Sequence, residues 1–219
     1  MIKSVVFDMD GVLFDTERVC SQVWYQVGKE MDLAGIDFAV TQCVGLNSSD
    51  TKQFFLNLYG KEFPYDQFRE TSSVLFHKTM ETQGLPIKPG VSELLNFLQD
   101  NNYKIALASS TNKATVMKYL DKAGITYYFQ AVVTGDMVIH GKPDPEIYFK
   151  ACKEIESPPE LSIAIEDSPN GIKSAYSAGM KPIMVPDLIQ PDEELKKLLY
   201  GKFDSLVEVR KYLQNFNLF

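Results

Sequence analysis

Five short runs of apolar residues recur along the 219-residue chain, and they constrain its fold more than any other feature. The runs occupy residues 5–7, 105–108, 131–133, 163–165 and 183–185. Each is nearly all apolar and rich in β-branched residues, a pattern typical of parallel strands that are buried on both faces. Helix-length segments accompany them at residues 90–101, 112–123, 146–155, 169–178 and 192–200. The alternation predicts an α/β fold with a doubly wound parallel sheet.

A long segment after the first run has a different character, because it contains no strand-like run. Val19, Val23 and Val27 follow the spacing of an amphipathic helix, and further helical patterns surround Phe54 and Phe68. We therefore expect a small helical domain inserted after the first strand of an α/β core. The expected boundaries are residues 16–85 for the helical domain, and residues 1–15 and 86–219 for the core.

Charge and cysteine content narrow the class of partner. The chain has 22 Lys and Arg against 29 Asp and Glu, a net charge of −7, which argues against nucleic acid or an anionic lipid surface as a partner. No apolar stretch approaches the ~20 residues of a membrane helix. Cys20, Cys43 and Cys152 lack the spacing of a metal site, which favours reduced thiols. We expect a cytoplasmic protein that binds neither nucleic acid nor membrane, with a monomer as the default state.

The first apolar run is followed directly by Asp8-Met9-Asp10-Gly11. Ligands of doubly wound sheets bind beyond the carboxyl ends of the strands, so both carboxylates are candidates for one crevice. A carboxylate can attack phosphorus without first losing a proton, and this chemistry suits Asp8. Asp10, if its anionic neighbours hold it partly protonated, is suited to give and take a proton. Taken alone, such a pair fits a solvated turn about equally well.

Hydroxyl groups follow the second apolar run, in Ser109-Ser110-Thr111-Asn112. Hydroxyls and backbone N–H groups at a helix N-terminus bind phosphoryl groups, which makes Ser109, Ser110 and Asn112 candidate phosphate ligands. The alternative is that Ser109, Ser110 or Thr111 only caps the helix. For this segment alone, the capping alternative is favoured.

A lysine and a proline-started helix follow the third run. Lys142 precedes a proline, which restricts the lysine backbone to an extended conformation. Asp144 and Pro145 are predicted to be the N-cap and the first residue of the next helix. Ser168 and Pro169 repeat this cap-and-start pattern after the fourth run.

The fourth apolar run ends in two adjacent acids, Glu166 and Asp167. Acids at the end of a buried strand are costly unless a cation accompanies them. Together with Asp8 and Asp10, they place more negative charge in the crevice than Lys142 can neutralise. Magnesium binds a few carboxylates together with waters and a substrate phosphate, so we expect Mg²⁺ as cofactor and a small phosphate ester as substrate.

Four segments of the chain resemble, in order, the four motifs of the haloacid dehalogenase-like hydrolase superfamily. They are Asp8-Met9-Asp10-Gly11-Val12, Ser109, Lys142-Pro143 and Glu166-Asp167. The resemblance covers the whole chain. The helical insert is similar to the small α-helical cap of the first subfamily. Within that subfamily, the chain resembles the β-phosphoglucomutase-like and phosphatase group.

The resemblance implies a role for each motif. Asp8 is the nucleophile, and Asp10 is the general acid and base, with its carbonyl on Mg²⁺. Ser109 binds the phosphate, and Lys142 neutralises charge on the nucleophile and the phosphoryl group. The implied metal ligands are Asp8, Asp10, Glu166 and Asp167, with Glu166 acting directly or through water.

Two positions in the insert bear on the reaction. Mutases of this group carry a histidine in the first cap helix and an arginine just after a cap glycine. Cys20 stands near the first position here, and Leu46 to Ser49 follow Gly45 without an arginine. We therefore predict a phosphatase that acts on a small metabolite, such as a sugar or polyol phosphate. A phosphomutase is the alternative, and a non-catalytic phospho-acceptor switch is a more distant one.

Overall fold

The computed structural model describes residues 2–44 and 48–216. It divides into two compact units, one formed by Met1–Asp15 with Ile87–Phe219 and the other by Thr16–Pro86. We call the first the α/β unit and the second the helical unit. In the part of the chain that is described, no helix is both long enough and apolar enough to cross a membrane.

The α/β unit contains one six-stranded sheet, in which every strand pair is parallel. The strands are β1 (Ser4–Phe7), β2 (Lys104–Ser109), β3 (Ala131–Thr134), β4 (Ser162–Glu166), β5 (Lys181–Met184) and β6 (Gly201–Lys202). Their spatial order is β3-β2-β1-β4-β5-β6, so the chain winds outward in both directions from β1. The predicted doubly wound α/β fold is confirmed.

The helical unit contains α1 (Thr16–Glu30), α2 (Ile36–Cys43), α3 (Ser48–Tyr59) and α4 (Tyr65–Thr82). Sequence patterns predicted α1, α3 and α4 but not the eight-residue α2. Phe55 lies at the centre of the unit's apolar core and is fully buried. The rings of Trp24, Phe63 and Phe68 pack against it. Gly45 to Asn47, which bear on the mutase question, lie outside the described residues.

The helices of the α/β unit are α5 (Val91–Asp100), α6 (Lys113–Ala123), α7 (Glu146–Glu154), α8 (Pro169–Ser177), α9 (Glu193–Lys196) and α10 (Leu206–Phe216). Sequence reasoning extended α9 to residue 200, and this was wrong. The Tyr200 N–H donates to the Pro182 carbonyl, and the Phe203 N–H donates to the Met184 carbonyl. The backbone around residue 200 therefore pairs with β5 and does not continue the helix. The short strand β6 and helix α10 were missed.

Small residues on one face of the sheet allow α7 and α8 to pack closely. Val6, Ala106 and Ala164 share a buried cluster with Tyr148 of α7 and Ala175 of α8. Alternate residues of a strand point to opposite faces, so the neighbouring side chains of the same strands support the helices on the other face. The central strands are therefore covered on both sides, which explains their continuous apolar character.

The register of β1 places the strand ends side by side. Phe7 is paired with Leu107 of β2 and with Ile165 of β4. The three strands run in the same direction and end within two residues of these positions, so their carboxyl ends lie at the same end of the sheet. This end also contains the point where the strand order reverses, which is where ligands of doubly wound folds bind.

Candidate active site

Asp8 is the first residue after β1, and its backbone N–H donates to the Ile165 carbonyl at 2.9 Å. The residue is buried, with 7% of its surface exposed. Its Oδ1 atom accepts a hydrogen bond from Lys142 Nζ at 2.5 Å. The Asp8 carboxyl group therefore lies in the crevice at the strand ends, in direct contact with the ammonium group of Lys142.

Lys142 is held at the crevice by several groups at once. Its ammonium also donates to Glu166 Oε1 at 2.6 Å and to the Ala108 carbonyl at 2.9 Å. It lies 5.0 Å from the centre of the Tyr148 ring, within the range of a cation–π contact. Burial alone lowers the pKa of Lys142, but the carboxylates of Asp8 and Glu166 outweigh burial and raise it. The lysine is therefore charged at neutral pH.

Glu166, the last residue of β4, is fully buried and accepts five hydrogen bonds. Oε1 accepts from Lys142 and from the Tyr148 hydroxyl, the latter at 2.8 Å. Oε2 accepts from the backbone N–H groups of Asp167 and Ser168 at 3.2 and 3.3 Å, and from the Ser168 hydroxyl at 3.1 Å. With both oxygens engaged in this way, Glu166 connects the lysine to the start of α8.

Tyr148 is a site residue that sequence reasoning missed. It belongs to the apolar face of α7 and is fully buried, so its position resembles that of an ordinary core residue. Burial, together with the negative charges of Glu166 and Asp8, raises its pKa well above the usual range. The hydroxyl therefore stays protonated and donates to Glu166. The signal in the sequence is a tyrosine at an apolar position of a predicted helix, because its hydroxyl needs a hydrogen-bond partner once it is buried.

Asp8, Glu166 and Asp167 form an acidic cluster. One carboxylate oxygen from each lies within 4.8 Å of the others. Burial raises the pKa of Asp8 well above its usual range, Glu166 and Asp10 raise it further, and Lys142 opposes the rise. A divalent cation at this cluster would favour the ionised carboxylate. Hard oxygen donors with excess negative charge fit Mg²⁺.

Asp10 does not bring its side chain into that cluster. Its Oδ2 atom instead accepts a hydrogen bond at 2.8 Å from the hydroxyl of Thr111, which lies two residues after the end of β2.

Gly11 allows the loop after β1 to approach Asp167. It has a φ of +78°, and a Cβ at this position would lie 2.1 Å from Asp167 Oδ2. Only glycine combines that backbone conformation with so close an approach.

The candidate phosphate ligands differ in their surroundings. Ser109 is buried, and its Oγ accepts the Thr111 N–H at 3.1 Å, which leaves the hydroxyl proton as the donor that a phosphoryl oxygen needs. Ser110 is exposed. Asn112 is the N-cap of α6, because its Oδ1 accepts the Thr115 N–H at 3.0 Å. The cap that sequence reasoning assigned to Ser109, Ser110 or Thr111 therefore belongs to Asn112.

The other predicted helix starts are close to those observed. Ser168 caps α8 through the Gly171 N–H, as predicted. Helix α7 begins at Glu146, with Pro145 in the N-cap position, so the prediction placed its start one residue early. Asp144 still serves the helix end, because its Oδ1 accepts the Glu146 N–H at 2.9 Å.

We predict that Gly171→Ala destabilises the protein, although alanine normally stabilises a helix relative to glycine. A Cβ at this position would lie 1.8 Å from Glu166 Oε1, and the five hydrogen bonds prevent that carboxylate from moving easily. Urea unfolding should show a free energy of unfolding lower by about 1–3 kcal/mol, the usual cost of overpacking. Gly141→Ala, where a Cβ meets nothing within 4 Å, is the control. Equal stability of the two variants would contradict the rigid placement of Glu166.

Comparison with known proteins gives a consistent result. A sequence model of the family described as haloacid dehalogenase-like hydrolase matches residues 5–185. A phosphorylated carbohydrates phosphatase of Thermotoga maritima is 30% identical over 182 residues, covering 83% of this chain and 84% of that protein. A beta-phosphoglucomutase of Bacillus subtilis is 30% identical over 221 residues, covering 93% and 96%.

Solved structures agree with the sequence comparison. The crystal structure of a HAD family hydrolase from Deinococcus radiodurans, described with bound phosphate and sodium, superposes with a TM-score of 0.80. It is 26% identical in sequence, and the match covers 99% of this chain and 97% of that one. The chain belongs to the haloacid dehalogenase-like hydrolase family.

Proposed function

We propose that this hydrolase is an Mg²⁺-dependent phosphomonoesterase that forms a phosphoryl intermediate on Asp8. The observation that carries the proposal is the buried contact between Asp8 and Lys142 at the carboxyl end of β1. A lysine in this place keeps the carboxylate in one orientation and offsets the charge of an incoming phosphate. The phosphatase among the related proteins supports the same reaction class.

The reaction has two displacement steps at phosphorus. In the first, an Asp8 oxygen attacks phosphorus, the bond to the ester oxygen breaks, and that oxygen takes a proton from the Asp10 carboxyl group and leaves as an alcohol. In the second, a water oxygen attacks phosphorus and gives a proton to Asp10, and the Asp8 carboxylate leaves. The sum is one ester and one water converted to one alcohol and one phosphate.

The remaining residues hold the phosphoryl group in place. We propose that Lys142 and the Ser109 hydroxyl donate to its oxygens, and that Ser110 and Asn112 are further phosphate ligands. Glu166 and Tyr148 act on the reaction through Lys142, by keeping it charged and in place. Preorganised donors of this kind stabilise the charge that grows on the oxygens in the transition state.

The acidic cluster would hold the metal. The ligands we propose are the carboxylates of Asp8 and Asp167 and the backbone carbonyl of Asp10, with Glu166 close to the same shell. A bound Mg²⁺ neutralises charge on the phosphoryl group and favours the ionised nucleophile. For the substrate, we propose a sugar or polyol phosphate, and for the helical unit the role of a cap that selects it. The carbohydrate phosphatase relative supports this substrate class.

We expect Asp8→Asn to abolish turnover without unfolding the protein, because an amide is a far weaker nucleophile than a carboxylate. Phosphate release from p-nitrophenyl phosphate should fall by about 10⁴-fold or more, as is typical when a nucleophile is removed. Asp204→Asn, at a side chain that is 81% exposed, is the control and should retain full activity. A folded Asp8→Asn protein with wild-type activity would refute the assignment.

Removal of metal should abolish activity reversibly. Dialysis against EDTA is expected to stop phosphate release, and added Mg²⁺ should restore it. Isothermal titration of the stripped protein measures binding independently of turnover, and Asp167→Asn should weaken that binding at least about tenfold. Undiminished activity after exhaustive EDTA treatment would remove the metal from the mechanism.

Product analysis separates the phosphatase from the phosphomutase that the Bacillus subtilis relative suggests. We expect a panel of sugar and polyol phosphates to yield free phosphate in the presence of Mg²⁺. A mutase would convert a hexose 1-phosphate into its isomer with little release of phosphate. Chromatography of the sugar phosphates, run beside a phosphate assay on the same samples, measures both products. A predominant isomer would favour the mutase.

A further inference from the structure

The Thr111 hydroxyl makes a contact that neither helix capping nor phosphate binding explains. Its Oγ1 donates to Oδ2 of Asp10 at 2.8 Å, although the two residues lie 101 positions apart in the chain. Both side chains are partly buried. A hydrogen bond of this length fixes one oxygen of the Asp10 carboxyl group and so restrains its rotation.

Helix capping does not require the Thr111 hydroxyl. Asn112 is the N-cap of α6 and accepts the Thr115 N–H with its own side chain. Thr111 instead lies one residue before the cap, where its side chain is directed to the loop after β1. The hydroxyl is therefore used for Asp10 and not for the helix.

The backbone of Thr111 is fixed on both sides. Its N–H donates to Ser109 Oγ at 3.1 Å, and its carbonyl accepts the Gly135 N–H at 3.1 Å. Gly135 allows this approach because a Cβ there would lie 2.2 Å from the Ser110 carbonyl oxygen. Thr111 thus joins the phosphate-binding serine, the end of β3 and the Asp10 carboxyl group in one rigid segment.

We propose that Thr111 is a positioning residue that aligns the Asp10 carboxyl group for proton transfer. The inference rests on the proposed function, in which Asp10 protonates the leaving alcohol oxygen. The hydrogen bond from the Thr111 hydroxyl to Oδ2 fixes the orientation of the Asp10 carboxyl group toward the leaving oxygen. Thr111 acts on the reaction only through Asp10 and does not itself touch the reacting atoms.

Leaving groups distinguish this role from a structural one. An alkoxide leaving from an alkyl phosphate needs a proton in the transition state, whereas p-nitrophenolate leaves without one. The value of kcat/KM reports the steps up to transfer of the phosphoryl group to Asp8. Loss of acid alignment should therefore lower kcat/KM for an alkyl ester and largely spare it for the aryl ester.

The test compares Thr111→Val with Thr111→Ser on glucose 6-phosphate, or on the best alkyl ester of the panel above, and on p-nitrophenyl phosphate. Valine keeps the shape of threonine without its hydroxyl, and serine keeps the hydroxyl. We expect valine to lower kcat/KM for the alkyl ester by about tenfold or more, part of the 10²–10⁴ that a general acid contributes. For the aryl ester we expect Thr111→Val to change kcat/KM by less than about threefold. Thr111→Ser should keep most of the wild-type kcat/KM for the alkyl ester.

Thr126→Val is the matched control, because it removes a similar hydroxyl-to-aspartate hydrogen bond, to Asp121, at an exposed site. It should leave both substrates unaffected. Thr111→Ala is prepared alongside and removes the hydroxyl without crowding the site. Unfolding midpoints of all variants show whether any loss of activity reflects loss of structure.

The outcomes separate the two levels of the proposal. If Asp8→Asn is inactive and wild type active, but Thr111→Val and Thr111→Ala slow both esters equally or neither, the role of Thr111 is refuted and the phosphatase stands. A Thr111→Ser variant that is as slow as Thr111→Val on the alkyl ester would also refute the role of Thr111. If wild type releases no phosphate from any ester, both proposals fall.

Discussion

The ammonium group of Lys142, between the carboxylates of Asp8 and Glu166, is the interaction on which the rest of the site depends. A buried ammonium group is stable only beside acidic partners, and removing Lys142 would leave two buried acids without a compensating cation. The Tyr148 hydroxyl and the start of α8 share this arrangement through Glu166. The contacts that position the candidate nucleophile are therefore also contacts that stabilise the α/β unit.

Negative charge still exceeds positive charge around this lysine. Burial is the main cause of the raised pKa of Asp8, and the negative charges of Glu166 and Asp10 raise that pKa further. On the proposed function, a cation beside Asp8 and Asp167 would relieve this excess, which would couple metal binding to activation of the nucleophile. Asp167 would then contact the cation, while Glu166 holds Lys142 and the start of α8 through its hydrogen bonds.

Sequence reasoning predicted the doubly wound sheet because buried parallel strands have a distinctive apolar pattern. It also selected Asp8, Lys142 and Glu166, because residues that follow such strands collect at one edge. It missed the contacts of Tyr148 with Glu166 and of Thr111 with Asp10, since each residue resembles a common structural residue and its partner is distant in the chain. Strand β6 and the early end of α9 depend on hydrogen bonds to β5, which no local pattern encodes.

The register of β1 between β2 and β4 has a consequence for how the protein matures. Asp8 and Lys142 are separated by 134 positions, so no local fragment of the chain contains both. Contacts between distant residues form late, because the loop between them must close before they contribute stability. A partly synthesised or partly refolded chain therefore lacks the contact between Asp8 and Lys142. Recovery of enzymatic activity during refolding would report completion of the central sheet.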